Sequence, residues 1–409
     1  MIKRIAAIAF IFVCTSAAWL ILSGTVLFRT ENQDQQLTRA VGQLWGEPQQ
    51  QRAPSAFYQH EVLRKVESID NGRPVVREEK DYVRHALPVV SSDITARLGL
   101  EHRQKGLLWY ATYRVDFEGR YRVRNTTADR RTVWFDFSFP SRSAVYDDFR
   151  LRVDGAEVPQ LNLSEGAVTH RIALEPGREA EFVVSYRSQG MKEWGYNFGE
   201  SVHQVRNFRL SLQTDFDGYD FPDKSISPTA KTRTAEGWRL DWNYRNLLTG
   251  VRIGLTLPEK LNPGPWVCMV TAAAPVSLFL FFFVLFLFTT LRRVPVHPMN
   301  YFFVAAAFFS FHLLLAYLVD HVSIPWAFAA ASAVSVGLVV SYMRLVVGPR
   351  FAFVEIALAQ LVYLVFFSYT FFFQGFTGLA ITLLCVATLF VTMQATGRIN
   401  WEEVFKKQG

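Results

Sequence analysis

Two hydrophobic patterns divide this chain. Residues 5–28 and 266–396 are almost continuously apolar, whereas residues 29–265 mix apolar and polar positions. The apolar stretches break into six segments: about Ile5–Phe28, Trp266–Leu291, Tyr301–Val319, Trp326–Val347, Phe351–Phe373 and Gly378–Thr396. Each is near the ~20 residues a helix needs to cross a bilayer. From Leu107 onward the pattern between them alternates with period two. "WYATYRVDF", "TVWFDFSF", "AEFVVSYR", "FRLSLQTDF", "WRLDWNY" and "VRIGLTL" read as half-buried strands, and "VDGAEVP" and "LEPGREA" as turns. Many short strands punctuated by turns predict one antiparallel sandwich or two. Residues 31–100 are more polar: "ENQDQQLTRAVGQLW" extends the first apolar helix, and Pro48, Pro54, Pro74 and Pro88 break up the remainder.

The expected fold is an integral membrane protein. It has an N-terminal transmembrane helix (1–28), a polar connector (29–100) and an all-β, antiparallel sandwich-like external domain (101–265). A C-terminal five-helix transmembrane bundle (266–396) and a short tail (397–409) complete it.

Charge gives this layout a direction. The net +7 is uneven: residues 29–265 carry 34 Lys/Arg against 32 Asp/Glu, and the remainder nine against four. With the N-terminus inside, Lys3, Arg4, Arg292, Arg293, Arg344, Arg350, Arg398, Lys406 and Lys407 all fall on the cytoplasmic side. The outer loops "DHVSIP" and "QGFTG" hold no Lys or Arg. This positive-inside pattern predicts both termini cytoplasmic and residues 29–265 outside, and a disulfide-free external segment suits a bacterial periplasm. The basic balance is thus an orientation signal, and nucleic acid is not an expected partner. Residues 1–28 read as an uncleaved anchor, because the apolar core exceeds that of a signal peptide and no A-x-A site comes after it. "FIFVC" lacks the small residue before Cys14 that lipoprotein processing needs. Cys14, Cys268 and Cys385 all lie in apolar segments, so the external domain has neither disulfides nor a cysteine-based zinc site.

Candidate chemistry is sparse. His60, His85, His102, His170 and His203 lack metal-ligand spacing, and no nucleophile elbow, zinc-protease helix or phosphate loop occurs. "DFDGYDFPD" (215–223) has four aspartates without EF-hand spacing, which reads as an acidic surface turn. Trp109, Trp134, Trp238 and Trp242 read as sandwich core before ligand contacts. No cofactor or metal and no catalytic residue is expected.

Several stretches together resemble the CreD family of inner-membrane proteins. "LWGEPQQQ" (44–51) resembles that family's W-G-x-P-Q stretch, with Trp45, Gly46, Pro48 and Gln49. "LEHRQKGLLWYATYRVDFEGRY" (100–121) resembles its charged turn and strand start. "VPVHPMNYFF" (294–303), with His297, Pro298, Asn300 and Tyr301, resembles its H-P-x-Q-Y stretch. "FHLLLAYLVDHVS" (311–323) resembles its third span ending in acid-His. Asn300 stands where the family more often has Gln, and Asp320 where Glu is common; the external domain is somewhat shorter. The resemblance brings no catalytic residues. It implies a role in envelope integrity or stress, including tolerance of agents such as colicins.

Ionisable groups inside spans are costly and need an explanation. His312 falls near mid-span; Asp320 and His321 fall at the outer end of the same helix, about 12 Å further along it. His312 is expected to hydrogen-bond another helix through Tyr342, Gln360 or Tyr363. Arg344 and Glu355 flank "GPR" at similar distances, which predicts an ion pair between the fourth and fifth spans. His297 and Asn300 are expected to cap the third span, with Pro298 in its first turn. These groups suit a non-enzymatic envelope protein whose β domain binds a periplasmic protein or cell-wall component. The alternative is a transporter or channel using the same polar groups. An intramembrane enzyme would need Ser310 and His312 to cooperate, yet residues two apart face different sides of a helix. Besides the lipid bilayer no partner is identifiable, and oligomeric state is not legible.

Overall fold

A computed structural model describes residues 2–70, 73–164, 166–199, 203–292, 294–373, 375–397 and Ile399. The chain forms two compact units, residues 1–36 with 261–409, and residues 37–260. Helix α1 (Ile2–Trp45) contributes residues to each.

The first unit is helical. Besides α1 it contains α2 (Pro263–Leu291), α3 (Pro298–Leu318), α4 (Ile324–Val347), α5 (Pro349–Phe372) and α6 (Thr377–Thr396), each long and apolar enough to cross a membrane. These are the six expected spans, with α1 running 17 residues past the expected end at Phe28. Helix α2 is apolar on every side, as a central helix must be. It packs against α3, α5 and α6 through residues such as Val270, Leu278 and Phe281. It also meets α1, where Ser23 lies 3.2 Å from Cys268 Sγ. Gly264 permits that approach: a Cβ there would collide with the Thr30 side chain. The outer surface of the unit is apolar, with Phe10, Leu20, Trp326, Leu345 and Leu383 all exposed. In water such a surface would be an aggregation patch; against lipid it is the required one. Helix α5 is irregular, with π-helical turns at Ala352–Ile356 and Leu361–Phe366. Each π turn delays the return of side chains to a given face.

The second unit is built from strands. In chain order these are β1 (Gln49–Arg52), β2 (Ser55–Asp70), β3 (Arg73–Leu87), β4 (Val89–Lys105), β5 (Leu108–Arg124), β6 (Arg131–Ser138), β7 (Tyr146–Val153) and β8 (Ala156–Glu157). The remaining strands are β9 (Asn162–Ser164), β10 (Ala167–Leu174), β11 (Glu179–Met191), β12 (Glu193–Asn197), β13 (His203–Thr214), β14 (Ala230–Arg233), β15 (Trp238–Thr249) and β16 (Ile253–Thr256). All six stretches of period-two alternation lie on strands, β5, β6, β11, β13, β15 and β16.

An eight-stranded sheet, order β14-β15-β13-β4-β5-β11-β7-β8, faces a five-stranded sheet, order β3-β2-β6-β10-β9; a third sheet joins β1, β12 and β16. Phe135 of β6 stacks on Phe182 of β11 at 4.1 Å, and Phe117 of β5 meets Phe137 of β6 at 6.2 Å, so the two large sheets share one core. Among the described strands, pairing is antiparallel except between β1 and β12 and between β4 and β13.

Residues 29–100 differ from the connector expected of them. Four strands begin there, and β4 carries one sheet across the expected boundary at residue 101. The reason is the β2–β3 hairpin, paired from Ala56–Leu87 to Asp70–Arg73. Its described outer part is solvated on both sides, with Glu61, Arg64, Lys80 and Arg84 exposed, so no apolar alternation marks it as a strand.

Candidate functional site

Every polar group singled out in the spans lies in the helical unit. His312 is fully buried on α3. Its Nδ1 donates to the Phe308 carbonyl of the same helix at 3.3 Å, and Trp19 and Phe311 meet its ring edge-on at 5.4 and 4.8 Å. None of its expected partners is used. Tyr342 instead donates to Asn300 Oδ1 at 2.8 Å, Gln360 donates to Ser335 at 3.1 Å, and Tyr363 bonds Thr388 at 2.9 Å. The aromatic ring of Trp19 occupies the space beside His312. Nothing in the local sequence of α3 could announce a contact from α1.

Asp320 pairs with Arg29 at 2.9 Å. Arg29 lies one residue past the expected end of the first span, and its guanidinium also sits 5.9 Å from the Tyr317 ring. His321, beside Asp320, is exposed. The ion pair expected between Arg344 and Glu355 is not formed. Glu355 pairs with Arg292, at the end of α2, at 2.6 Å, while Arg344 is exposed. Spacing about the "GPR" turn assumed regular helices on both sides. Glu355 lies within the first π turn of α5, which alters the face it presents.

The H-P stretch behaves as a helix start. His297 is the N-cap of α3 and its Nδ1 accepts from the Met299 N–H at 3.2 Å; Pro298 comes next, where its missing N–H costs nothing. Asn300 is bound to Tyr342 and does not cap. Tyr301 is fully buried against Phe282 at 5.3 Å, its hydroxyl 3.5 Å from Thr289.

The W-G-x-P-Q stretch is structural in the same sense. Trp45 ends α1 under the Arg103 guanidinium, 3.2 Å from its ring centroid. Gly46 adopts φ +90°, and a Cβ there would overlap the Gln189 carbonyl, so only glycine fits the reversal. Pro48 then precedes β1. Gln49 and Gln51 are fully buried side chains that satisfy other groups: Gln49 donates to Ser188 and to the Gln189 carbonyl, both at 2.8 Å. Gln51 accepts from the Tyr186 hydroxyl at 2.8 Å and donates to the Ser138 carbonyl at 3.1 Å.

In the β unit, two aspartates of the 215–223 stretch have partners. Asp215 accepts from the Leu100 N–H at 2.8 Å and Asp217 pairs with Arg233 at 2.8 Å. No cluster of metal-ligating residues occurs among the described residues. Trp242 is core, donating to the Ile226 carbonyl at 2.8 Å; Trp109, Trp134 and Trp238 are half-buried. Burial pushes the Tyr113 and Tyr186 phenols well above their usual range and Tyr146 up to about 12. Burial likewise lowers His170.

Two concavities open on the solvent side of the eight-stranded sheet. One, of about 510 Å³, is bordered by Arg97, Arg150 and Arg187 and by Asp116, Glu118 and Asp148. The other, of about 460 Å³, is bordered by Arg120, Arg122, Arg209 and Arg245 against Asp93 alone.

One family model matches part of the helical unit. Residues 273–402 match the family model of the inner membrane protein CreD. The CreD match covers about a third of the chain. It includes His297, Pro298, Asn300, Tyr301, His312, Asp320, His321, Arg344 and Glu355, so the polar groups of α3 to α5 lie inside the matched CreD segment. Trp45 to Gln51 and the β unit lie outside it. No curated protein matches. Among solved structures, a protein of Legionella pneumophila provisionally described as nutrient binding shares 11% identity, covering 47% of this chain and 73% of its own, with a TM-score of 0.31. An M1 zinc metallopeptidase of Deinococcus radiodurans shares 9% identity, covering 42% of each chain, with a TM-score of 0.25. The apolar exterior of the helical unit suits contact with a lipid bilayer.

Sequence reasoning missed Arg29 and the arginines of the sheet face, and read Arg292 as an orientation signal without its ion pair. Arg29 and Arg292 come directly after apolar runs, which is the signal that could have marked them as span-end ion-pair partners. The arginines repeat at every second position, Arg120 with Arg122 and Arg150 with Arg152, and so mark one face of the sheet.

Proposed function

We propose that the protein is a non-enzymatic inner-membrane protein supporting envelope integrity or stress tolerance. In this reading the β unit lies in the periplasm and binds a periplasmic protein or cell-wall component, while the helical unit anchors it with both termini cytoplasmic. The observation that carries it is the way polar side chains are used within the helical unit. Asp320 with Arg29, Glu355 with Arg292, Gln360 with Ser335, Tyr363 with Thr388 and Asn300 with Tyr342 each join two helices. Groups spent on one another register helices and leave little for transport or chemistry. The solvent side of the eight-stranded sheet, by contrast, keeps its charges exposed. A photo-crosslinker placed at Arg209 in intact cells should recover one discrete partner, absent when the crosslinker sits at Leu383 on the lipid-facing side. Equal or empty products at both positions would refute binding through the sheet.

A second reading, transport through the helical unit, is favoured by one observation. The Nε2 of His312 is buried without a hydrogen-bond partner among the described residues. Transport requires water at His312, Asp320, Arg344 and Glu355. Single cysteines at all four positions should then react with a membrane-impermeant thiol reagent; protection at 312 and 355 would dismiss it.

A further inference from the structure

The two concavities on the eight-stranded sheet are built from the same materials and differ in one respect. Around the larger, cations and anions neutralise each other. Arg150 pairs with Asp148 at 3.1 Å, and Arg187 with Asp148 and Asp147 at 3.0 and 3.3 Å. Around the smaller, four guanidinium groups face a single carboxylate. We propose that this second concavity is a binding site for a polyanionic ligand carrying closely spaced phosphate or carboxylate groups. The proposal deepens the binding reading given above and rests on it only for the β unit being the binding part.

Strand register groups the cations around Asp93. Arg120 of β5 is opposite Asp93 of β4, Asp93 is opposite Arg209 of β13, and Arg209 is opposite Asn243 of β15. One step along, in the row holding Arg122, β5 and β4 pair Arg122 with Ser91. Arg245 lies two residues beyond Asn243 and so on the same face. The inward sides of these strands explain why the arginines must point out: Ile94, Tyr121, Leu210 and Trp242 are all fully buried in the sandwich core.

The uncompensated charge is that of Arg209 and Arg245. Arg120 and Arg122 have partners outside the concavity, Glu118 at 3.5 Å and Glu181 at 3.3 Å. Arg209 and Arg245 make no ion pair within 4.0 Å among the described residues, although both are exposed. Arg209 and Arg245 stand on the neighbouring strands β13 and β15, and neighbouring strands are ~4.8 Å apart, so their like charge is concentrated on a small area of the sheet. Like charges so placed repel, and an anion relieves that repulsion. Guanidinium groups meet phosphate and carboxylate oxygens as planar forks of donors, which gives geometry as well as charge. Asn243 and Ser91 on the same rim supply neutral hydrogen-bonding groups.

The test titrates the full chain, in nanodiscs of a zwitterionic lipid at ~0.15 M salt, where exposed charges more than ~8 Å apart are screened. Inorganic tripolyphosphate and citrate serve as separate probes, the first for phosphate and the second for carboxylate recognition. Saturable binding of at least one is expected. Arg209→Gln with Arg245→Gln should weaken it at least tenfold, while Arg150→Gln with Arg187→Gln in the neutral concavity should change it less than twofold. Asp93→Asn, which removes the opposing charge without disturbing the arginines, should tighten binding severalfold and keeps the test decisive if a double variant misfolds. Absence of binding by both probes, equal weakening by the two double variants, or no tightening by Asp93→Asn would each overturn the proposal. Failure here with a crosslinked partner still recovered in cells would remove the anion site and leave the binding reading standing.

Discussion

The helical and β units solve the same problem with opposite surfaces. In the β unit large side chains such as Phe135, Phe182 and Trp242 are buried, and Arg97, Arg120 and Arg209 face solvent. In the helical unit Leu345, Phe353 and Leu383 are outside, while Gln360 and Ser335 are fully buried and bonded to each other across two helices. The first arrangement is driven by removing apolar area from water. The second cannot be, because lipid tails are as apolar as leucine. There, close packing and hydrogen bonds between helices hold the structure together. Buried polarity therefore has different meanings in the two units, interhelical joints in one and satisfied core groups such as Gln51 with Tyr186 in the other.

The sharpest way to break this comparison is to place one charge on each exterior. Leu383 is 60% exposed and Leu63 of β2 is 63% exposed, so exposure alone treats them alike. Leu383→Arg should nevertheless abolish or strongly reduce membrane accumulation, since an arginine at mid-span costs about 2.5–3.5 kcal/mol on insertion scales. Leu63→Arg should accumulate normally. Quantified membrane levels decide; equal levels would mean that the exterior of α6 does not face lipid. A smaller effect is expected inside the sandwich. Gln51→Leu removes the acceptor of the Tyr186 hydroxyl and the donor to the Ser138 carbonyl, leaving buried groups unpaired at about 1–3 kcal/mol. Denaturant melts followed through the tryptophans of the β unit should shift accordingly, with the helical signal unchanged.

The smallest effect is a pH dependence confined to the β unit. Tyr113, Tyr146 and Tyr186 have phenols raised by burial. Unfolded tyrosine ionises near pH ~10. Above that pH the folded state holds more protons than the unfolded one, so stability falls as pH rises from about 10 toward the folded values. Tm should be level in this respect below pH ~9 and fall above ~10, and Tyr146→Phe should flatten the fall. An unchanged slope would show that Tyr146 is not protected from ionisation.

Legibility in the sequence divided along the same line. Period two was clear on β5, β11 and β13 because each has one face in the core and one in solvent. It vanished on the β2–β3 hairpin, whose described outer residues are solvated on both faces. The six spans were clear because α2 to α6 are apolar throughout. That same uniformity erased the information about which face of a span meets which neighbour. His312 was therefore visible as an anomaly, but its Trp19 neighbour was not. The expected Arg344–Glu355 pair failed because a π turn holds Glu355, and no local residue pattern announces it. The parallel pairing of β1 with β12 and β4 with β13 depends on contacts more than a hundred residues apart, beyond any local period.

The central claim is a division of labour, with polar groups in the helical unit joining helices and the β unit doing the binding. The most direct measurement is complementation of a deletion strain challenged with detergent, with the membrane level of each variant quantified. His312→Ala, Asp320→Ala and Glu355→Ala form one set, and Arg209→Gln with Arg245→Gln the other. The account predicts that the first set protects in proportion to the amount of protein accumulated, and that the second accumulates normally and fails to protect. Normal accumulation without protection in the first set, together with full protection by the second, would contradict it.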